Sequence, residues 1–212
     1  MGKILDFFHN KKILITGHTG FKGAWLSHIL LNFGVKVVGV SLDPPTRPNL
    51  FELLDLQNRL THYRADLRDL DKLQEIFRKE KPEIVFHFAA QALVREGYRD
   101  PHFTFSTNVL GTVNVLEAVR RIGEVGAVVV ATTDKVYKNR GVLYPYKEED
   151  ILGGEDPYSA SKVAADISTQ SFIKSFFPAE KLGRTHSTAV AIVRSGNLIG
   201  GGDWGTDRLL PD

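Results

Sequence analysis

The chain has 212 residues, 42% hydrophobic and 25% charged, with a formal net charge of +2. That is the profile of a globular protein with one well-filled domain, and its scattered Lys and Arg exclude a nucleic-acid or membrane partner rather than suggest one. There are no cysteines, and the seven histidines fall at unrelated spacings, so disulfides, thiolate metal sites and a metal cofactor are not expected.

Met1 to Asn10 has no apolar run long enough for a signal peptide, and no apolar stretch of about 18 residues occurs, so a cytoplasmic protein is expected. Short apolar, β-branched runs then alternate with longer amphipathic segments, the pattern of a parallel sheet covered by helices. Lys12 to Thr16 predicts a first strand and Phe21 to Phe33 a helix ended by Gly34. Lys36 to Val40 and His62 to Ala65 predict the second and third strands, with a helix from Asp69 to Lys79 stopped before Pro82. Ile84 to Phe88 is continuous in apolar character, as a strand covered on both faces should be. A helical period runs from Phe105 to Ile122, and Ala127 to Ala131 follows as strand five. Asp156-Pro157 predicts an N-cap with Pro at the first helical position, opening a helix to Phe176. Ala189 to Val193 is strand six. The fold class is α/β, a Rossmann-like doubly wound parallel sheet. Residues 1–200 are expected to form that domain, and 201–212, with Gly200-Gly201-Gly202-Asp203-Trp204, to begin a smaller lobe that the chain largely lacks.

The first strand runs into Thr16-Gly17-His18-Thr19-Gly20-Phe21-Lys22-Gly23. Glycines spaced by three let the backbone turn tightly and approach a pyrophosphate, and the next helix offers its free N–H groups to the anion. The strand before and the helix after turn a weak motif into a dinucleotide site. Asp43, beyond strand two, is placed to accept from an adenosine ribose and to repel a 2′-phosphate, which favours NAD over NADP; its alternative is a loop-starting Asp before Pro44-Pro45. Lys22 and Arg47 are nearby cations that argue weakly the other way. Asp66 either bonds an adenine amine or caps the helix after Leu67. Ala89-Ala90-Gln91 offers small residues beside the cofactor or simply packs tightly.

Ala131-Thr132-Thr133-Asp134-Lys135 puts a hydroxyl, an acid and an amine at the end of an apolar strand. Tyr158 and Lys162 are four apart on the next helix and share a face. An ammonium beside a phenol favours the phenolate, which can then take a proton from an alcohol while hydride leaves its carbon.

In these two motifs, TGxxGxxG and YxxxK, the chain resembles the extended short-chain dehydrogenase/reductase family over essentially its whole length. The resemblance implies that Thr107 contacts the cofactor, with Leu67 and Thr132 beside it, that Asn108 is structural, and that Asn197 contacts a nucleotide sugar. Thr133-Asp134-Lys135 resembles the sugar-nucleotide 4,6-dehydratases, which carry Thr-Asp-Glu here, with Lys in one branch. That resemblance implies CDP-glucose as substrate, bound NAD, Tyr158 as redox base, Thr133 on the sugar O4 and Asp134 as the acid that releases O6. Lys135 is then either the general base, which requires a pKa lowered from about 10.4, or a charged stabiliser of the enolate. A nucleotide-sugar epimerase and a non-catalytic NAD-binding domain are the competing readings. Without the second lobe, the chain is expected to bind NAD but to turn over poorly. The resemblance also implies a homodimer through the helices after strands four and five, where Phe105, Val113 and Phe172 either contribute to the interface or face the sheet.

Overall fold

A computed structural model of the protein describes residues 7–141, 143 and 145–207. Six strands form one parallel sheet in the order β3-β2-β1-β4-β5-β6: β1 (Lys12–Thr16), β2 (Lys36–Ser41), β3 (Thr61–Arg64), β4 (Ile84–His87), β5 (Ala127–Ala131) and β6 (Ala189–Val193). The helices are α1 (Phe21–Asn32), α2 (Leu50–Leu53), α3 (Leu70–Glu80), α4 (Val94–Arg99), α5 (Pro101–Phe105), α6 (Gly111–Ile122) and α7 (Pro157–Phe176). This is a Rossmann-like doubly wound fold. Winding reverses between β1 and β4, so the strand ends part there and open the crevice in which such sheets bind ligands.

Alternation along the strands builds a core on each face. Leu14, Val38, Val85 and Val128 join Phe77, Leu116 and Val119 on one side. Ile13, Ile15, Val37 and Ile84 pack with Leu30 on the other. Phe172 is partly buried against the first core, so of its two readings the one facing the sheet is realised.

Most element bounds agree with the sequence reading to within a residue or two. The exception lies after β4. The single helix expected from Phe105 begins instead at Pro101, with the Asp100 side chain accepting from the Phe103 amide, and it passes through a π-helical turn at Ser106–Leu110 before α6. Wide turns of this kind insert a residue into the helical ladder and re-aim its neighbours, often at functional sites. The short α2 and α4 were not expected.

A buried polar chain ties the crossover together. The Thr16 hydroxyl accepts from the Phe88 and Ala89 amides, which leaves its proton for His87 Nδ1 at 2.7 Å. His87 Nε2 then donates to Thr112, whose hydroxyl donates to the Asn108 carbonyl. Complete burial, then the charge of Lys162, hold His87 down to a pKa of about 3, so it is a neutral strut. Among the described residues, no helix is long and apolar enough to cross a membrane.

Candidate active site

Every residue proposed from the sequence for cofactor or substrate, and every catalytic candidate except Asp134, borders one cavity of about 1170 Å³ above the carboxyl ends of the strands. The glycine loop forms one wall. Gly17 has φ +76°, and a Cβ there would lie 2.7 Å from the Ala89 amide nitrogen; a Cβ on Gly23 would collide with the Gly17 carbonyl. Those two glycines are demanded by the protein itself. Gly20 is different: its backbone is extended, and a Cβ would meet nothing closer than 3.4 Å. Its lack of a side chain serves the cavity, as a backbone cradle for a ligand does.

Thr19 hydrogen-bonds Ser41 and donates to the Leu42 carbonyl, tying the loop to the end of β2. His18 points beneath the loop, where Nε2 lies 2.8 Å from His62 Nδ1 and burial lowers its pKa to about 3. Asp43 is exposed and ion-paired to Arg64 at 2.6 Å. Arg64, and not Arg47, is therefore the cation beside the expected ribose carboxylate. Asp66 accepts from the Arg68 amide and guanidinium, chiefly the latter holding its pKa below the ordinary value. The capping alternative for Asp66 is not realised, because Asp69 caps α3 through the Lys72 amide.

Gln91 and Asn108 interlock: Asn108 Oδ1 accepts from the Gln91 amide, and its Nδ2 donates to the Gln91 carbonyl and to Ser161 of α7. The Gln91 side chain is committed to Thr104, so it reaches into the protein rather than the cavity. Thr107, on the π turn, borders the cavity, and its buried hydroxyl has no hydrogen-bond partner among the described residues. A buried hydroxyl left so is costly unless a ligand satisfies it.

The opposite wall carries the catalytic candidates Thr133, Lys135, Tyr158 and Lys162. Lys162 is only 5% exposed, and its Nζ donates to the Ala131 carbonyl at 2.9 Å. Burial, then the positive charge of Lys22, lower its pKa to about 8, against an upward pull from Asp166. It is therefore charged at neutral pH. Lys22 is itself lowered by burial and lies 5.4 Å over the Phe88 ring. Tyr158 borders the cavity one helical turn before Lys162, and Gly97 of α4 packs closely on its backbone. Thr133 donates to Asp134 Oδ1 at 3.0 Å and caps the short 3₁₀ turn Asp134–Val136. Lys135 Nζ lies 3.5 Å from Asn197 Oδ1 and 3.9 Å from Asp134 Oδ1, so it bridges the two without a tight ion pair. Asp134, half exposed, is the one expected catalytic group that does not border the cavity.

The sequence reading missed His18, Arg64, Asp166 and Arg194, all joined by contacts between distant segments. The segment after β6, which offered Asn197 and the expected start of a second lobe, runs back along the cavity. Trp25 donates to the Gly201 carbonyl, Trp204 packs on the Ala24, Leu50 and Phe51 cluster, and Arg95 pairs with Asp207 at 2.7 Å. Residues 208–212 of the expected second lobe lie outside the described residues. Among those described, no group of three or more His, Cys, Asp or Glu is arranged to hold a metal.

Residues 14–179 match the family model described as GDP-mannose 4,6 dehydratase. The chain belongs to that family. It is 49% identical to the CDP-glucose 4,6-dehydratase of Salmonella typhimurium over 98% of its own length and 57% of that relative. It is 33% identical to the UDP-glucose 4-epimerase of Mycolicibacterium smegmatis over 74% of the chain and 49% of that relative. A double mutant of dTDP-glucose 4,6-dehydratase from Streptomyces venezuelae, solved with NAD bound, superposes with a TM-score of 0.80 at 25% identity, covering 94% of this chain and 59% of that one. The chain thus spans about half the length of the relatives it matches.

Two outcomes follow from this geometry. Gly20→Ala is expected to weaken dinucleotide binding about tenfold or more while the melting temperature stays within a few degrees, whereas Gly23→Ala lowers the melting temperature itself. Calorimetric titration beside thermal melts separates them, and equal behaviour of the two variants contradicts the assignment. For Lys162, the folded pKa of about 8 lies below the 10.5 of a free lysine. The unfolded chain then binds more protons between those values, so this residue's contribution to stability rises with pH across that window and its burial penalty is complete below it. Relative to the parent, Lys162→Met should lose about 3 kcal/mol of stability between about pH 7 and about pH 10.5. Urea melts at both pH values measure this, and a pH-independent difference contradicts it.

Proposed function

We propose that the protein binds NAD and carries out the 4,6-dehydration of a nucleotide sugar, CDP-glucose, to the 4-keto-6-deoxy sugar and water. One observation carries this reading: Thr133 and Lys135, at the end of β5, border the same cavity as Tyr158, Lys162 and the glycine loop. The open face of Gly20 and the unmet Thr107 hydroxyl suit a dinucleotide. The likeness to the Salmonella enzyme supports the choice of sugar nucleotide.

When bound, NAD supplies the acceptor for the C4 hydride and returns it to C6. Tyr158, as phenolate beside the Lys162 ammonium, takes the O4 proton. The Thr133 hydroxyl turns to O4 and gives up its bond to Asp134, which frees that carboxyl to turn into the cavity toward O6. Lys135, as the general base, takes the C5 proton that the 4-ketone acidifies, and Asp134, as the acid, gives a proton to O6 as water leaves. The C5 proton returns from Lys135 once C6 is reduced, and exchange with solvent carries off the proton on Tyr158 and restores the one given up by Asp134. Asn197, already beside Lys135, contacts the nucleotide sugar.

A specific observation favours a second reading. Asp134 does not border the cavity, and a C4 epimerase needs only the redox groups. For assembly, the outer face of α5, α6 and α7 has an apolar groove of about 580 Å³ lined by Phe105, Val109, Leu110 and Val113, which fits the proposed homodimer.

Incubation with CDP-glucose and NAD⁺ is expected to yield the 4-keto-6-deoxy product, more slowly from these 212 residues than from a polypeptide of its relatives' length. A C4 epimer, or unchanged sugar from both lengths despite bound NAD, overturns the dehydratase reading. For the cofactor, Asp43→Asn frees Arg64 to hold a 2′-phosphate and should shift preference toward NADP by about tenfold. Unaltered preference for NAD in a binding titration removes Asp43 from the ribose.

A further inference from the structure

The most heavily bonded polar group outside the reactive set is a buried ion pair. Asp166 is 0% exposed and lies on α7 one turn beyond Lys162. Both of its oxygens accept from Arg194, from Nε and Nη2 at 2.9 Å each, and they accept also from Gln170 at 2.7 Å and from the Thr132 hydroxyl at 3.2 Å. The remaining Arg194 nitrogen, Nη1, donates to the Tyr137 hydroxyl at 3.0 Å and to the Glu148 carbonyl at 3.1 Å.

The partners are not scattered. Thr132 and Tyr137 stand immediately before and after the segment Thr133 to Val136, whose last three residues form the 3₁₀ turn bearing Asp134 and Lys135. One guanidinium–carboxylate unit therefore grips both ends of that turn. It also fastens the turn to the helix that carries Tyr158 and Lys162. Arg194 leads directly into Ser195, whose carbonyl accepts the Asp134 amide at 3.0 Å, and then into Asn197. Such a pair is a poor source of stability, because apolar residues of the same volume often serve as well. What a bidentate pair does supply is fixed orientation.

We propose that Asp166 and Arg194 are positioning residues, which hold the turn bearing Asp134 and Lys135 at a set distance and angle from Tyr158 and Lys162. The inference rests on the dehydratase reading: it makes the pair the part that keeps elimination in step with oxidation. Asp166 stays ionised, because the bonds from Arg194, Gln170 and Thr132 outweigh the effect of its burial.

The test removes both charges at once, in Asp166→Leu/Arg194→Met, so that neither is left buried and unpaired, with Arg194→Lys as a variant that keeps the charge and loses the bidentate geometry. With CDP-glucose, kcat should fall about a hundredfold in the double variant. NAD affinity should stay within about twofold, and reduced-nicotinamide absorbance should build up during turnover, since oxidation proceeds while elimination lags. Arg194→Lys should fall between the double variant and the parent. Parental kcat in the double variant overturns the proposal, as does a fall without accumulation of reduced cofactor. Should the parent show no dehydratase activity at either length, the dehydratase reading fails on its own, and the clamp is judged by hydrogen exchange. The Thr132 and Asp134 amides should then exchange at least about tenfold faster in the double variant, and unchanged protection overturns the clamp.

Discussion

A buried ammonium must find its partners inside the protein, and the arrangement of this site follows from where Lys162 finds them. Its Nζ donates to the Ala131 carbonyl, the last residue of β5. That bond fixes α7 against the strand end from which Thr133, Asp134 and Lys135 depart. Lys162 cannot be placed elsewhere without leaving a charge in an apolar interior, so the helix has one seating. The charge is tolerated because its pKa has fallen only to about 8, with Asp166 one turn away opposing the effects of burial and Lys22.

The glycine loop is held by an independent set of constraints. Thr16, the last residue of β1, accepts from the two amides that follow β4 and passes its proton to His87. The two strands at the winding reversal are thereby locked together where the crevice opens. The chain of bonds continues through Thr112 and Asn108 to Ser161 on α7. Loop wall and α7 thus share one buried network, in which each proton has an assigned direction. Such networks specify a single geometry when every member is satisfied.

Much of this was legible in the sequence, for physical reasons that vary by element. β1, β5, β6 and α7 have the expected bounds because their apolar runs end at residues that cannot continue them; Asp156-Pro157 is one such signal. The same pair occurs at Asp100-Pro101, where it does start a helix, and the apolar period beginning at Phe105 concealed it. Four- and six-residue helices such as α2 and α4 are too short to show a period. Most cavity-lining candidates were legible because they follow a strand, where a parallel sheet gathers its loops, and Tyr158 and Lys162 because their spacing puts them on one helix face. Arg64 beside Asp43 and Arg194 beside Asp166 were not, because each is on another strand or at its end and no local spacing marks such a meeting. Asp134 shows the limit of reading a motif: the residue type is in place, yet its carboxylate is held by Thr133 and does not border the cavity.

The dehydratase reading requires redox and elimination to share one cavity and one bound cofactor. CDP-glucose labelled with deuterium at C4, turned over with catalytic NAD⁺ and analysed by mass and NMR spectroscopy, tests this directly. The label should appear at C6 of the 4-keto-6-deoxy product, carried within the same sugar. Label retained at C4 of an epimerised sugar, or a 6-deoxy product without label at C6, would contradict it.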